Sequence, residues 1–221
     1  MRLFLATAAF GVLAFGQQHV TLKASDGGVI QADLYGAGQR GLVLAHGGRF
    51  NKESWAPQAR VLAQKGFRVL ALDFRGYGQS HGPGDGDFFQ APFHLDALAA
   101  IRHLRDTGAT SVSLMGGSFG GNTLATAAED PAAGAIDRIV LLAGGAGAHP
   151  ERLRGRKLLI IARNDANDDG PRLPRLRPDW DKVPEPKRLV IVDGSAHAQF
   201  LFGTDQAERV LHEIVAFLTE P

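Results

Sequence analysis

Beyond residue 17, apolar runs of five to seven residues recur at 19–24, 30–35, 41–45, 67–73, 111–115, 138–143, 157–162 and 188–193. Each is short and rich in strand-forming residues, which predicts eight strands. Ser25-Asp26-Gly27-Gly28 separates the first two and suits a tight antiparallel hairpin. Between the later runs, segments 55–65, 92–106, 119–128 and 204–218 carry apolar residues at helical spacing. Thr204 or Asp205 offers an N-cap for the last of these. Strands alternating with helices predict an α/β fold: one eight-stranded, mostly parallel sheet, antiparallel at its start, with helices on both faces. Segment 164–186, rich in Pro, Arg and Asp, breaks the pattern, and only a brief helix is expected there.

The first sixteen residues stand apart from this pattern. Met1-Arg2 makes a positive start, residues 3–15 are apolar without a charge, and Ala14 and Gly16 are small residues at the positions a signal peptidase reads. The run is too short to span a bilayer comfortably. It reads as an export signal cleaved before Gln17, so the expected product is a periplasmic or secreted protein with one domain over residues 17–221. No repeat, low-complexity block or linker divides that stretch.

Composition narrows the chemistry. Apolar residues make up 44% and charged residues 21%, as in ordinary globular proteins, which argues against disorder and against a membrane bundle. Lys and Arg number 24 against 23 Asp and Glu, with no basic stripe, so nucleic acid is not an expected partner. The absence of cysteine excludes disulfides, thiolate metal sites and a cysteine nucleophile.

Gly116-Gly117-Ser118-Phe119-Gly120 matches the G-x-S-x-G turn that exposes a serine between a strand and a helix. The predicted strand 111–115 and helix 119–128 provide that setting. A serine hydroxyl needs a base to take its proton. Of eight histidines, His197 fits best, because Gly194-Ser195-Ala196-His197 directly follows the last predicted strand. The third group should hold the imidazole's tautomer. Asp165 lies in the first turn after strand 157–162, and Asp168 and Asp169 are alternatives further along the loop. The expected oxyanion donors are the N–H groups of Gly48, in His46-Gly47-Gly48, and of Phe119 at a helix start, with Arg49 N–H as a fallback. Two further patterns are set aside. The dinucleotide-like Gly36-Ala37-Gly38-Gln39-Arg40-Gly41 precedes a strand instead of following one. The calcium-loop-like run 165–170 has Leu176 where a bidentate Glu is needed.

Taken together, His46-Gly47-Gly48, the run 72–80 (Leu-Asp-Phe-Arg-Gly-Tyr-Gly-Gln-Ser), the turn at Ser118, Asp165 and His197 make the chain resemble the α/β-hydrolase superfamily. It looks most like its small esterase-like or dienelactone-hydrolase-like members. The order Ser118, Asp165, His197 is that of the superfamily's triad, and the resemblance implies that Asp73 and Arg75 are scaffold. Two departures stand out: only residues 144–156 separate the sixth and seventh strands, too few for a cap, and the cysteine of dienelactone hydrolase has no counterpart. The implied activity is hydrolysis of an ester, thioester or related acyl bond of a small molecule through an acyl-serine, without metal or cofactor. A serine peptidase or acyltransferase would share the triad, and a non-catalytic binding protein on the same fold is the reading of another class. Without a cap, an open groove bordered by Phe50, Phe88, Phe89, Phe119 and Phe200 and suited to short acyl groups is expected.

Overall fold

The computed structural model describes residues 16–221, so the expected export signal falls, apart from Gly16, outside the described residues. Eight strands form the main sheet: β1 (Gln18–Lys23), β2 (Val29–Tyr35), β3 (Arg40–Ala45), β4 (Phe67–Leu72), β5 (Ser111–Gly117), β6 (Arg138–Leu142), β7 (Arg156–Ala162) and β8 (Lys187–Val192). Their spatial order is β1-β2-β4-β3-β5-β6-β7-β8. The pairs β1–β2 and β2–β4 are antiparallel, and the other five are parallel. The antiparallel start and parallel continuation agree with the sequence pattern.

Five helices cover this sheet: α1 (Ala56–Gln64), α2 (Phe93–Asp106), α3 (Phe119–Glu129), α4 (Arg172–Lys182) and α5 (Ala207–Thr219). Strand residues alternate between the two faces. Val43 and Ala45 pack with Ile101 of α2 and Leu124 of α3, whereas Leu42 and Leu44 pack with Leu62 of α1 and Ile214 of α5. Central strands are therefore buried on both sides, which is why β3 and β6 read as continuous apolar runs. Truncating one such side chain, Leu44→Ala for instance, would cost about 2–5 kcal/mol.

Two expectations need correction. Segment 164–186 holds an eleven-residue helix, α4, longer than the brief helix expected. Pro174 falls in its first turn, where backbone N–H groups lack helical partners anyway. Pro178 is interior, and the buried Trp180 anchors the helix to the core despite the lost bond. Secondly, Ala198–Gly203 forms a 3-10 helix and α5 begins only at Ala207. Thr204 Oγ1 accepts the N–H of Gln206 at 3.2 Å, one residue ahead of the helix, so neither Thr204 nor Asp205 caps it.

Residues 143–155 between β6 and β7 contain only a three-residue 3-10 turn, Pro150–Arg152, so no cap is inserted there. The parallel strands bring the loops after β3, β5, β7 and β8 to one edge of the sheet. In open α/β sheets this carboxyl edge is where ligands bind.

Candidate active site

Ser118 stands at the β5–α3 turn with φ +50° and ψ −118°, a conformation side chains rarely adopt. The turn is tight enough to need its glycines. A Cβ on Gly116 would come within 2.6 Å of the Gly120 backbone, and one on Gly120 within 2.4 Å of His46 O. Ser118 N–H donates to Leu142 O at 2.8 Å, which ties the turn to the end of β6. The three non-glycine residues with positive φ among those described, Ser118, Ala143 and Ala198, all lie at this edge. Such strain persists only where surrounding structure enforces it.

Three loops bring the predicted residues together. Asp165 is held in a turn after β7: its N–H donates to Ala162 O, and the neighbouring Asn164 N–H donates to Gly194 O in the loop that carries His197. Asp165 is fully buried, while the His197 side chain is about a quarter exposed. Asp165 Oδ2 lies 2.7 Å from His197 Nδ1, and His197 Nε2 lies 2.7 Å from Ser118 Oγ. A carboxylate only accepts, so Nδ1 carries the proton, and the neutral ring's Nε2 accepts the serine O–H. Asp168 and Asp169 are exposed, and Asp169 pairs with Arg175 at 3.4 Å. The structure thus joins Asp165, not its two neighbours, to His197. Among the described residues, no group of three His, Asp or Glu is gathered to hold a metal.

The loop after β3 faces Ser118 and is fastened by one bond within its backbone and by three side chains. Gly47 N–H donates to Gln199 Oε1 at 2.6 Å, and Gly47 O accepts His46 Nδ1–H and Phe50 N–H, each at 2.9 Å. Tyr77 O–H donates to Gly48 O at 3.1 Å. Among the described residues, the N–H groups of Gly48, Arg49 and Phe119, the last at the first position of α3, have no acceptor. The two expected donors and the fallback are therefore all open.

His46 is buried, and burial holds its pKa below the ordinary value despite the bond to Gly47 O and the nearby Asp73 carboxylate. Its Nε2 accepts Phe74 N–H at 3.3 Å. A neutral imidazole satisfies both bonds, and a protonated one would not.

Gln199 was not singled out by sequence reasoning. Its Oε1 holds Gly47, its Nε2 donates to Ser54 Oγ at 2.7 Å, and a Cβ on Gly117 would meet its amide at 3.1 Å. It thus touches the loops after β3, β5 and β8 at once. Its position two residues beyond His197 is the only signal the sequence offered.

Gly47, Gly48, Phe50, Ser118, His197 and Phe200 line a cleft of about 200 Å³, which Arg49, Arg172 and Ala198 complete. Phe50 and Phe200 form one wall, with ring centroids 4.8 Å apart. Phe119 instead turns into a cluster with Phe74, Phe88 and Phe93, so its ring does not line the cleft. Phe88 and Phe89 lie outside the lining, and Phe89 is 91% exposed. A larger hollow of about 350 Å³ sits at the amino ends of β7 and β8, the opposite edge of the sheet from Ser118, and has no nucleophile paired with a base.

Comparison with known proteins agrees with this architecture. The family model described as alpha/beta hydrolase fold matches residues 42–167. A non-heme haloperoxidase of Rhodococcus erythropolis is 35% identical over 121 residues, which is 55% of this chain and 42% of that protein. The serine hydrolase BPHL of Mus musculus is 35% identical over 119 residues, 53% of this chain and 40% of that protein. The matches thus span less than half the length of these curated relatives. Among solved structures, an esterase of Pyrococcus furiosus superposes with TM-score 0.72 at 16% identity, covering 98% of this chain and 96% of its own. A dienelactone hydrolase of Anabaena variabilis gives TM-score 0.70 at 18% identity, covering 92% and 96%. At these identities the likeness is one of fold.

Proposed function

Because the chain belongs to the α/β-hydrolase fold family, we propose that it is a serine hydrolase cleaving short carboxylic esters or related acyl bonds, with Ser118, His197 and Asp165 as its triad. The observation that carries this reading is the hydrogen-bonded line from Asp165 through His197 to Ser118, with two 2.7 Å contacts, beside unengaged N–H donors.

In this reading Ser118 Oγ attacks the acyl carbon as its proton passes to His197 Nε2, and Asp165 stabilises the imidazolium that forms. The N–H groups of Gly48 and Phe119, with the positive end of α3, receive the negative charge that develops on the carbonyl oxygen. Collapse breaks the C–O bond, and the leaving alcohol takes the proton from His197. Water then gives a proton to His197 and attacks the acyl carbon, which releases the acid and restores Ser118. A cleft of about 200 Å³ is below the usual range for drug-sized ligands, roughly 300–1,000 Å³, and favours short acyl groups.

Fluorophosphonate labelling followed by intact mass measurement tests the nucleophile: one covalent adduct is expected, on Ser118. A p-nitrophenyl ester series from acetate to palmitate tests the size limit, with kcat/KM expected to level off after the short chains. A steep rise toward palmitate, or activation above the micellar concentration, would overturn the short-acyl part of the reading. Export belongs to the same proposal, and N-terminal sequencing of protein recovered outside the cytoplasm should begin at Gln17.

A further inference from the structure

The cleft carries more positive charge than ester hydrolysis requires. Arg49 and Arg172 both line it, and its lining contains neither Asp nor Glu. Arg49 is exposed and, among the described residues, has no carboxylate within ion-pair distance. Arg172 opens α4, and its side chain is about a quarter exposed. Its backbone N–H donates to Asp165 O at 2.8 Å, which fixes the residue beside the triad. Arg172 Nε stands 3.2 Å from Asp165 Oδ1, but the N–H is not aligned for a hydrogen bond. The Arg172 side chain donates no hydrogen bond to any of the described residues. Asp165 is already engaged by His197 through its other oxygen, so a guanidinium held here keeps donors for something entering the cleft.

Two arginines line a small cleft next to a nucleophile, and only Arg172 has an acid beside it, the Asp165 carboxylate that His197 already engages, so the cleft is suited to an anion. Arginine presents paired N–H groups whose spacing matches a carboxylate. The aromatic wall of Phe50 and Phe200 lowers the local polarity and strengthens such a contact. We propose, resting on the hydrolase reading above, that the preferred substrate is a short ester bearing a carboxylate a few bonds from the scissile carbonyl, such as the monoester of a small dicarboxylic acid. Arg49 and Arg172 bind that carboxylate. The reaction stays an ordinary hydrolysis: water adds, the ester C–O bond breaks, and the alcohol and a dicarboxylate leave.

The test compares monoethyl succinate with ethyl isocaproate, in which an isopropyl group replaces the carboxylate, by pH-stat titration at neutral pH. The wild-type protein should favour the anionic ester by about 10- to 100-fold in kcat/KM, the range a hydrogen bond to a charged group supports. That ratio should fall as salt is added and collapse toward unity in Arg49→Gln and Arg172→Gln. In parallel, calorimetry should detect monoethyl succinate binding to Ser118→Ala protein, and its loss when either arginine is also replaced. Equal kcat/KM for the two esters, with Ser118-dependent turnover of both, would overturn the anion site and leave the hydrolase reading standing. Calorimetric binding that needs the arginines, without turnover of either ester, would support the anion site and sink the hydrolase reading. Neither binding nor turnover would overturn both.

Discussion

Two neighbouring clusters in this molecule are built from the same kinds of side chain and end up doing different things. At the corner after β4, Arg75 is fully buried between Asp96 and Asp26, donating to both, and its own backbone N–H goes to Asp96 as well. Lys52 stands nearby between Asp73 and Asp33, 3.5 Å and 3.9 Å away, and its backbone N–H donates to Asp73. Here each cation is held between two carboxylates, and the arginine is fully buried. At the carboxyl edge, Asp165 and His197 are also linked, but the chain of bonds ends on a serine hydroxyl that faces the cleft. The corner resembles a lock and the edge an instrument. What separates them is access to a cleft, not the presence of ionisable residues.

Removing the open end should have the largest effect. Ser118→Ala is expected to lower kcat by on the order of 10⁴- to 10⁶-fold and to abolish covalent labelling. Its urea midpoint should stay near that of the wild type; retained labelling would show that another residue is the nucleophile. Next, Asp165→Asn should reduce kcat by roughly 10⁴-fold, because an amide no longer selects the Nδ1–H tautomer. The exposed Asp168 and Asp169 serve as controls, and their Asn variants should retain nearly full turnover.

The lock should fail in the opposite way. Arg75→Met leaves Asp96 buried without its cation, so a loss of about 3–5 kcal/mol in unfolding free energy is expected. Turnover per folded molecule should hardly change, since Arg75 bonds to Asp26, Asp96 and Pro83, none of which lines the cleft. A large fall in kcat at unchanged stability would erase the contrast between the two clusters. Gln199→Leu probes the seam between them: loss of the acceptor for Gly47 N–H should displace the donor loop and cut kcat by roughly 10- to 100-fold, with KM changing less.

The smallest effect concerns pH. Burial lowers the His46 pKa below its ordinary 6.5. In this range the unfolded chain binds more protons than the folded one, so stability rises with pH. The contribution of neutral His46 is complete above about pH 6.5 and is lost as pH falls below that value toward the depressed folded pKa. Urea unfolding between pH 7 and 5 should show that decline. His46→Asn, which keeps a donor toward Gly47 O, should flatten it; an unchanged slope would assign the decline to other groups.

The readable parts of this protein are those whose cause is local. The eight strands follow from runs of apolar residues, and the antiparallel start follows from a four-residue polar turn. The turn at Ser118 is legible because backbone crowding permits only glycine at Gly116 and Gly120. Strand order along the chain then assigned Ser118, Asp165 and His197 to loops at one edge, and the geometry brings all three together. Other features depended on groups far apart in sequence. Gln199 meets Gly47 across 152 positions, and the apolar pattern says nothing about a single amide reaching into another loop. Helix α4 forms despite its prolines because Trp180 finds a place in the core. Phe119 opens α3 next to Ser118 but packs its ring against Phe74 and Phe93, a choice made by neighbouring volume, not by its own position. Arg172 lies in a stretch without apolar periodicity, and only the turn after β7 sets it beside Asp165. Periodicity encodes which face of an element is buried, whereas the direction of one side chain is decided by what the rest of the fold packs around it.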